Sequence, residues 1–266
     1  YLCASLNQTM IEIRFPDQSI RSYQKGTTPF EVAQSISEGL ARNVLSAKFN
    51  GHTVEASTPL EDDGDIQLFT WNDKEGKTAF WHSSAHVLAQ ALIALYPDCK
   101  LTIGPAIENG FYYDADFGNH SITEKDLVTI EKKMLEFARQ KFQFTMRSCT
   151  KAVALAYYQK ENNPYKTELI ENLEDGTITF CDHADFTDLC RGGHIPQTGV
   201  IKAVKLTNVA GAYWRGDETK PQLTRIYGIS FPKQKELTAY LEKVEEAKKR
   251  DHRKLGKELE LFTFSQ

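Results

Sequence analysis

Two short motifs in this chain carry side chains able to do chemistry. His82-Ser-Ser-Ala-His86 is answered, about a hundred residues later, by Asp188-Leu-Cys190-Arg-Gly-Gly-His194. Imidazoles four residues apart on a helix share one face, and Cys190 and His194 flank a Gly-Gly pair, so four metal-competent or proton-transferring groups can meet in one cleft. His-x-x-x-His and Cys-x-x-x-His suit zinc by ligand type. Four protein ligands close a tetrahedral site, however, whereas catalytic zinc keeps one position for water, so hydrolysis there implies three ligands or no metal. Without metal, the histidines beside Cys190 and Asp188 form a proton-transfer site, because imidazole titrates close to neutral pH. A single histidine beside an apolar stripe is more often a hydrogen-bonded core residue; two such pairs together favour a site.

A helix must hold the first pair. Residues 79–96 supply it, apolar at Trp81, Ala85, Leu88, Leu92 and Leu95 and ended by Pro97-Asp98, with His82 and His86 beside or on the buried stripe. The second pair follows an Asp175-Gly176 turn and a strand over 177–181. Between them the pattern predicts a hairpin of strands 101–107 and 111–117 around Asn109-Gly110, and a helix from a Thr123/Asp126 capping box to about residue 140. A strand near 142–149 and helices over 151–160 and 164–173 complete this part. Strands over 204–209 and 223–229 follow, then one long helix over 232–257, basic at Lys248, Lys249, Arg250, Arg253 and Lys254. The last apolar stretch, 259–264, stops abruptly, and continuation into another domain is expected.

Before residue 72 the pattern changes. Alternation over 11–15 and 19–23 around Pro16-Asp17 makes a hairpin. Thr28, Pro29 and Glu31 start a helix with a stripe at Phe30, Ala33, Ile36 and Leu40. Short strands around Asn50-Gly51 and a strand over 66–69 finish a ubiquitin-like β-grasp module, and the polar segment 72–77 suits a linker. Gly76-Lys77-Thr78 imitates the end of a phosphate loop, but Trp71 stands where the first glycine is needed, and the motif is rejected. The chain's natural start is expected at or near Met10.

Composition limits the alternatives. The chain has 266 residues, room for at least two domains. With 32 Lys+Arg against 36 Asp+Glu, a net charge of −4, bulk charge does not indicate nucleic acid, and a local basic face would be required. Five irregularly spaced cysteines argue against a disulfide framework and for a reducing, cytoplasmic setting. No apolar run approaches the length of a membrane helix, so no membrane partner is expected.

These residues resemble the threonyl-tRNA synthetase family of bacterial type. The β-grasp start resembles its TGS domain, and the two motifs resemble the signature of its editing domain. Ile103-Gly-Pro105, Gly110-Phe-Tyr-Tyr-Asp114, Pro164-Tyr-Lys166, Tyr213-Trp-Arg-Gly-Asp217, Arg225-Ile-Tyr-Gly228 and Asp251-His-Arg-Lys-Leu-Gly-Lys-Glu258 follow in family order. The resemblance implies an α+β chain with an N-terminal extension (1–9), a TGS β-grasp domain (10–71), an editing or second additional domain (72–231), and a linker helix with the start of a catalytic domain (232–266). It implies hydrolysis of serine wrongly esterified to tRNA(Thr), with the tRNA 3′ end as partner. The site residues it implies are His82, His86, Cys190, His194, Lys166 and Asp188, with Tyr113 and Asp188 against the substrate. His82 is chosen to position or activate water, and Lys166 to steady developing negative charge or the terminal ribose. Both are expected to face the cleft, so that either can be removed with the fold intact.

No class II motif is found. Ligase activity, ATP, Mg, Zn and a homodimer interface are therefore expected only for the whole enzyme, and this piece is expected to be monomeric and to need no cofactor. If a metal is present, its ligands would be His82, His86, Cys190 and His194. Two alternatives stay open: a non-catalytic tRNA- or RNA-binding module, and a zinc-dependent trans-editing hydrolase of the alanyl type.

Overall fold

The structure is a computed structural model that describes residues 9–250. The expectations for residues 1–8, for Arg253 and Lys254, and for the segment 259–264 lie outside the described residues.

The N-terminal part builds one mixed sheet. Strands β1 (Met10–Arg14) and β2 (Ile20–Gln24) pair antiparallel, helices α1 (Pro29–Ile36) and α2 (Glu38–Asn43) follow, and β3 (Ser46–Phe49), β4 (His52–Val54) and β5 (Gly64–Phe69) complete the order β2-β1-β5-β3-β4, with β1 and β5 parallel. Alternation on β1 turns Ile11 and Ile13 inward, where they meet Val32, Leu60 and Ile66. The capping box at Thr28 forms as expected. The helical stripe does not: Ser37 ends α1 and caps α2 by accepting a hydrogen bond from Leu40 N at 3.1 Å. That break leaves Phe30 and Ile36 on the exposed side, while Ala33 is buried as expected and Val32 is buried beside it.

The expected linker 72–77 is mostly helix. Helix α3 (Lys74–Leu95) starts directly after Asp73, whose carboxylate accepts from Thr70 N and Oγ1 at 2.7 and 2.9 Å. Gly76 rests so close to the Thr70 carbonyl that no side chain fits there. Nor is α3 amphipathic. Residues 83–92 are all buried, because the helix runs between the larger sheet of the second domain, a neighbouring helix and strand β3 of the first domain.

Around α3 the chain lays down β6 (Lys100–Leu101), β7 (Ala106–Ile107), β8 (Gly110–Asp116), α4 (Glu124–Arg139), β9 (Thr145–Ser148), α5 (Lys151–Lys160), α6 (Pro164–Glu171), β10 (Thr179–His183), β11 (Phe186–Leu189), β12 (Ala203–Tyr213), β13 (Gln222–Phe231) and α7 (Gln234–Lys249). The larger sheet has the order β12-β13-β8-β6, with β7 also on β8, and β11-β10-β9 make a second. Phe80, Leu88, Leu92, Phe111, Ile130, Met134, Leu206 and Ile226 lie in the main core.

Two departures from the expected elements shape the cleft. The strand over 101–107 is split, because residues 102–105 bulge away while Asp114 N still bonds Ile103 O at 2.8 Å. The chain before Asp188 is a full hairpin, with Cys181 opposite Asp188 and Ala184 at φ 53° in its turn. The architecture is α+β, as the resemblance implied. The four cysteines among the described residues are all free, and among those residues no helix is long and apolar enough to cross a membrane.

Candidate active site

The Ser-Ser between the first two histidines fixes the second motif. Ser83 Oγ accepts from Ile195 N at 3.0 Å, tying the residue after His194 to α3, and Ser84 Oγ lies 2.7 Å from Ser230 Oγ on β13. Small hydroxyls let strand and loop approach the helix closely, where a larger side chain would push them off. Between Cys190 and His194, Gly192 and Gly193 adopt φ of 94° and 85°, values that suit glycine, and this turn faces the two side chains toward each other.

The four groups converge. His82 Nε2 lies 3.3 Å from Cys190 Sγ and 3.2 Å from His86 Nε2, and His194 Nε2 lies 3.3 Å from Cys190 Sγ. Ligand atoms of all four fall within 4.8 Å of one another. Zinc bond lengths imply ligand separations of about 3.3–3.6 Å in a tetrahedron, so these residues fit a zinc ion.

Behind them sits Asp188, buried with 2% exposure. Its carboxylate accepts from Lys166 Nζ at 2.5 Å, Tyr113 OH at 2.7 Å and Tyr158 OH at 3.4 Å, and lies 3.3 Å from His86 Nδ1. Lys166 is placed at the first turn of α6, where Pro164 opens the helix and Asn163 Oδ1 caps it by accepting from Lys166 N at 3.0 Å.

Burial and charge set the protonation states. Burial opposes charge on Asp188, but the Lys166 ammonium and then His86 outweigh it and hold the carboxyl well below its usual range. Burial likewise disfavours a charged His86, yet the Cys190 sulfur and Asp188 raise it to about 9. Burial would raise the Cys190 thiol, and His86, His194 and His82 reverse this, favouring thiolate. His82 goes the other way: burial pushes it below the ordinary imidazole value, so it is neutral near pH 7. Glu55, from the loop after β4, reaches this cluster as well. It accepts from Gly193 N at 2.8 Å and lies 3.4 Å from His194 Nδ1.

These side chains border a cavity of about 460 Å³. His82, His86, Lys166, Asp188 and Cys190 form its polar end, while the bulge at 102–105, Leu169 and Leu173 supply apolar wall.

Residues 11–70 match the family described as TGS domain, and residues 178–227 match the threonyl and alanyl tRNA synthetase second additional domain. Threonine–tRNA ligase of Flavobacterium johnsoniae is 68% identical over 97% of this chain, and that of Cytophaga hutchinsonii is 62% identical over 97%. The chain belongs to the threonyl-tRNA synthetase family. It spans 39% and 40% of the length of those two relatives, and 40% of the Bacteroides thetaiotaomicron threonine–tRNA ligase, to which it is 54% identical over 97% of its own length.

Five of the seven expected site residues, His82, His86, Lys166, Asp188 and Cys190, line one cavity, and His194 and Tyr113 touch residues that do. Tyr113 needs correction. Its ring packs on Gly104, it is 1% exposed, and its hydroxyl is spent on Asp188, so it supports the wall from behind rather than meeting substrate. Lys166 lines the cavity as expected, but its ammonium is also buried on Asp188, so its removal is expected to cost stability. Sequence reasoning missed Glu55, Thr179, Leu169, Leu173 and Arg191 at or beside the cavity. Arg191 stood inside the motif and could have been named; nothing local marks Glu55, 138 residues from Gly193.

Proposed function

We propose that this chain is the editing part of a longer threonyl-tRNA synthetase and hydrolyses the ester between serine and the 3′ end of tRNA(Thr). The observation that carries the reading is the pairing, at one cavity end, of a neutral imidazole, His82, with the cationic His86 and Lys166. An enzyme that selects threonine needs such a site, since serine lacks only a methyl and that difference is worth about 1–3 kcal/mol in a binding pocket.

His82 donates Nε2–H to the Cys190 thiolate, which leaves its Nδ1 lone pair to take a proton from water. The water oxygen bonds to the ester carbon, negative charge on the carbonyl oxygen is met by His86 and Lys166, and the bond to the ribose oxygen breaks. The proton passes to that ribose oxygen. Cys190 keeps His86 charged, and Asp188 orients both cations.

The site works without metal in this reading. Zinc held by His82, His86, Cys190 and His194 would supply Lewis acidity, but four protein ligands leave no place for water. Threonine ligation, with its ATP, Mg and Zn and its dimer contact, belongs to the longer cytoplasmic enzyme rather than to residues 1–266.

Single-turnover deacylation tests the reading. The chain is expected to clear Ser-tRNA(Thr) roughly tenfold to a hundredfold faster than Thr-tRNA(Thr), because an added methyl in a filled pocket costs about 1–3 kcal/mol. His82→Ala should lose about 10²–10⁴-fold. Equal rates for the two esters, or undiminished hydrolysis by the variant, would refute it.

A further inference from the structure

The editing cleft lies in the second domain, yet one of its polar partners comes from the first. Glu55 follows β4 of the TGS domain, and a single carboxylate oxygen, Oε1, serves two groups of the Cys190–His194 loop: Gly193 N–H at 2.8 Å and His194 Nδ1 at 3.4 Å. His194 is fully buried and the Glu55 side chain is 14% exposed. The other polar neighbour of His194 Nδ1 is Cys181 Sγ at 3.7 Å, a weaker partner by distance and type. The opposite edge of the ring faces Cys190 Sγ through Nε2 at 3.3 Å. An ionised carboxylate only accepts hydrogen bonds, so Glu55 holds an N–H at His194 Nδ1, while the Nε2 edge is left to the Cys190 sulfur. The same oxygen holds Gly193 in the left-handed turn that brings Cys190 and His194 together.

We propose that Glu55 is a positioning residue of the editing site: the TGS domain lends it across the domain boundary to fix the His194 ring and its tautomer beside Cys190. The inference rests on the hydrolytic reading above. It adds that hydrolysis depends on the TGS domain being seated on the editing domain, which makes that domain more than a spacer. Letting a catalytic-site ring shift by about 1 Å can cost roughly 100-fold in rate.

Three measurements on the whole chain decide it. In single-turnover hydrolysis of Ser-tRNA(Thr), Glu55→Ala should fall about 10–100-fold in rate, with the half-saturating enzyme concentration unchanged and the chain still folded at the assay temperature. Glu55→Gln, which keeps an amide oxygen for Gly193 N–H and Nδ1–H, should recover most of that rate. By ¹⁵N–¹H correlation of the imidazole resonances, His194 should carry its proton on Nδ1 in the wild type and in Glu55→Gln, and shift toward Nε2 in Glu55→Ala. A wild-type rate in Glu55→Ala while His82→Ala is inactive would overturn the Glu55 inference and leave the hydrolytic reading standing. So would an Nδ1 proton retained in Glu55→Ala. A wild-type chain that hydrolyses neither ester would defeat the functional reading instead, with the tautomer measurement still reporting on the contact.

Discussion

Two carboxylates back the same cluster, and they are built differently. Asp188 is sealed inside the editing domain with four partners, Lys166, Tyr113, Tyr158 and His86, and with the Cys190 sulfur it keeps His86 cationic. Glu55 comes from another domain, stays partly exposed, and touches His194, one backbone amide and the Thr58 hydroxyl. Among the described residues no carboxylate pairs with His82, the third imidazole, and it is the one whose charge burial suppresses. One cluster thus holds a charged, an oriented and a neutral histidine. The difference between them lies in what stands behind each ring, since all three face the same sulfur.

The comparison breaks most sharply at Lys166. Lys166→Ala strands the Asp188 carboxylate without its ammonium, and removing one partner of a buried pair costs about 3–5 kcal/mol. Chemical denaturation should show a loss of that size, whereas Glu55→Ala should lose clearly less, about 1–3 kcal/mol. Lys166→Met combined with Asp188→Asn should recover part of the loss, because no buried charge is then left alone. A Lys166→Ala chain as stable as wild type would mean that Asp188 takes up a proton or finds water.

Metal provides a second, smaller perturbation. Hydrolysis should survive chelator, and added zinc should lower it as it binds, since occupation by His82, His86, Cys190 and His194 removes the free base. Loss of activity to chelator with recovery on zinc would overturn the metal-free reading.

A pH profile sharpens the third histidine. In the proposed mechanism the base is neutral His82, whose value in the fold lies below the ordinary 6.5. The acid limb should therefore have its midpoint below pH 6.5, with the rate falling about tenfold per unit beneath it and level above it until His86 loses its charge near pH 9. A limb centred at or above 6.5 would assign the base to another group.

Much of this site is legible in the amino-acid sequence alone. The types and spacing of His82, His86, Cys190 and His194 predict convergence, because a four-residue step on a helix and a Gly-Gly turn are local geometry. Capping residues at Thr28 and Thr123 mark helix starts for the same reason. What stays hidden is set by packing. The apolar pattern of α3 looks one-sided in sequence, but Ser83 and Ser84 are buried as well, because a loop on one side and a strand on another hydrogen-bond to them.

By itself, then, the sequence determined which chemical groups exist, which local elements carry them, and the family to which they belong. Only the tertiary structure decided their states. Which histidine is charged depends on desolvation and on partners brought from elsewhere in the chain: Asp188 beside His86, Glu55 beside His194, and, among the described residues, no carboxylate beside His82. The bulge at 102–105 becomes a cavity wall, and Tyr113 a support, only once β8 and α6 close around Asp188. Electrostatic energy varies with distance and burial, and no spacing along the chain reports either for residues more than a hundred positions apart.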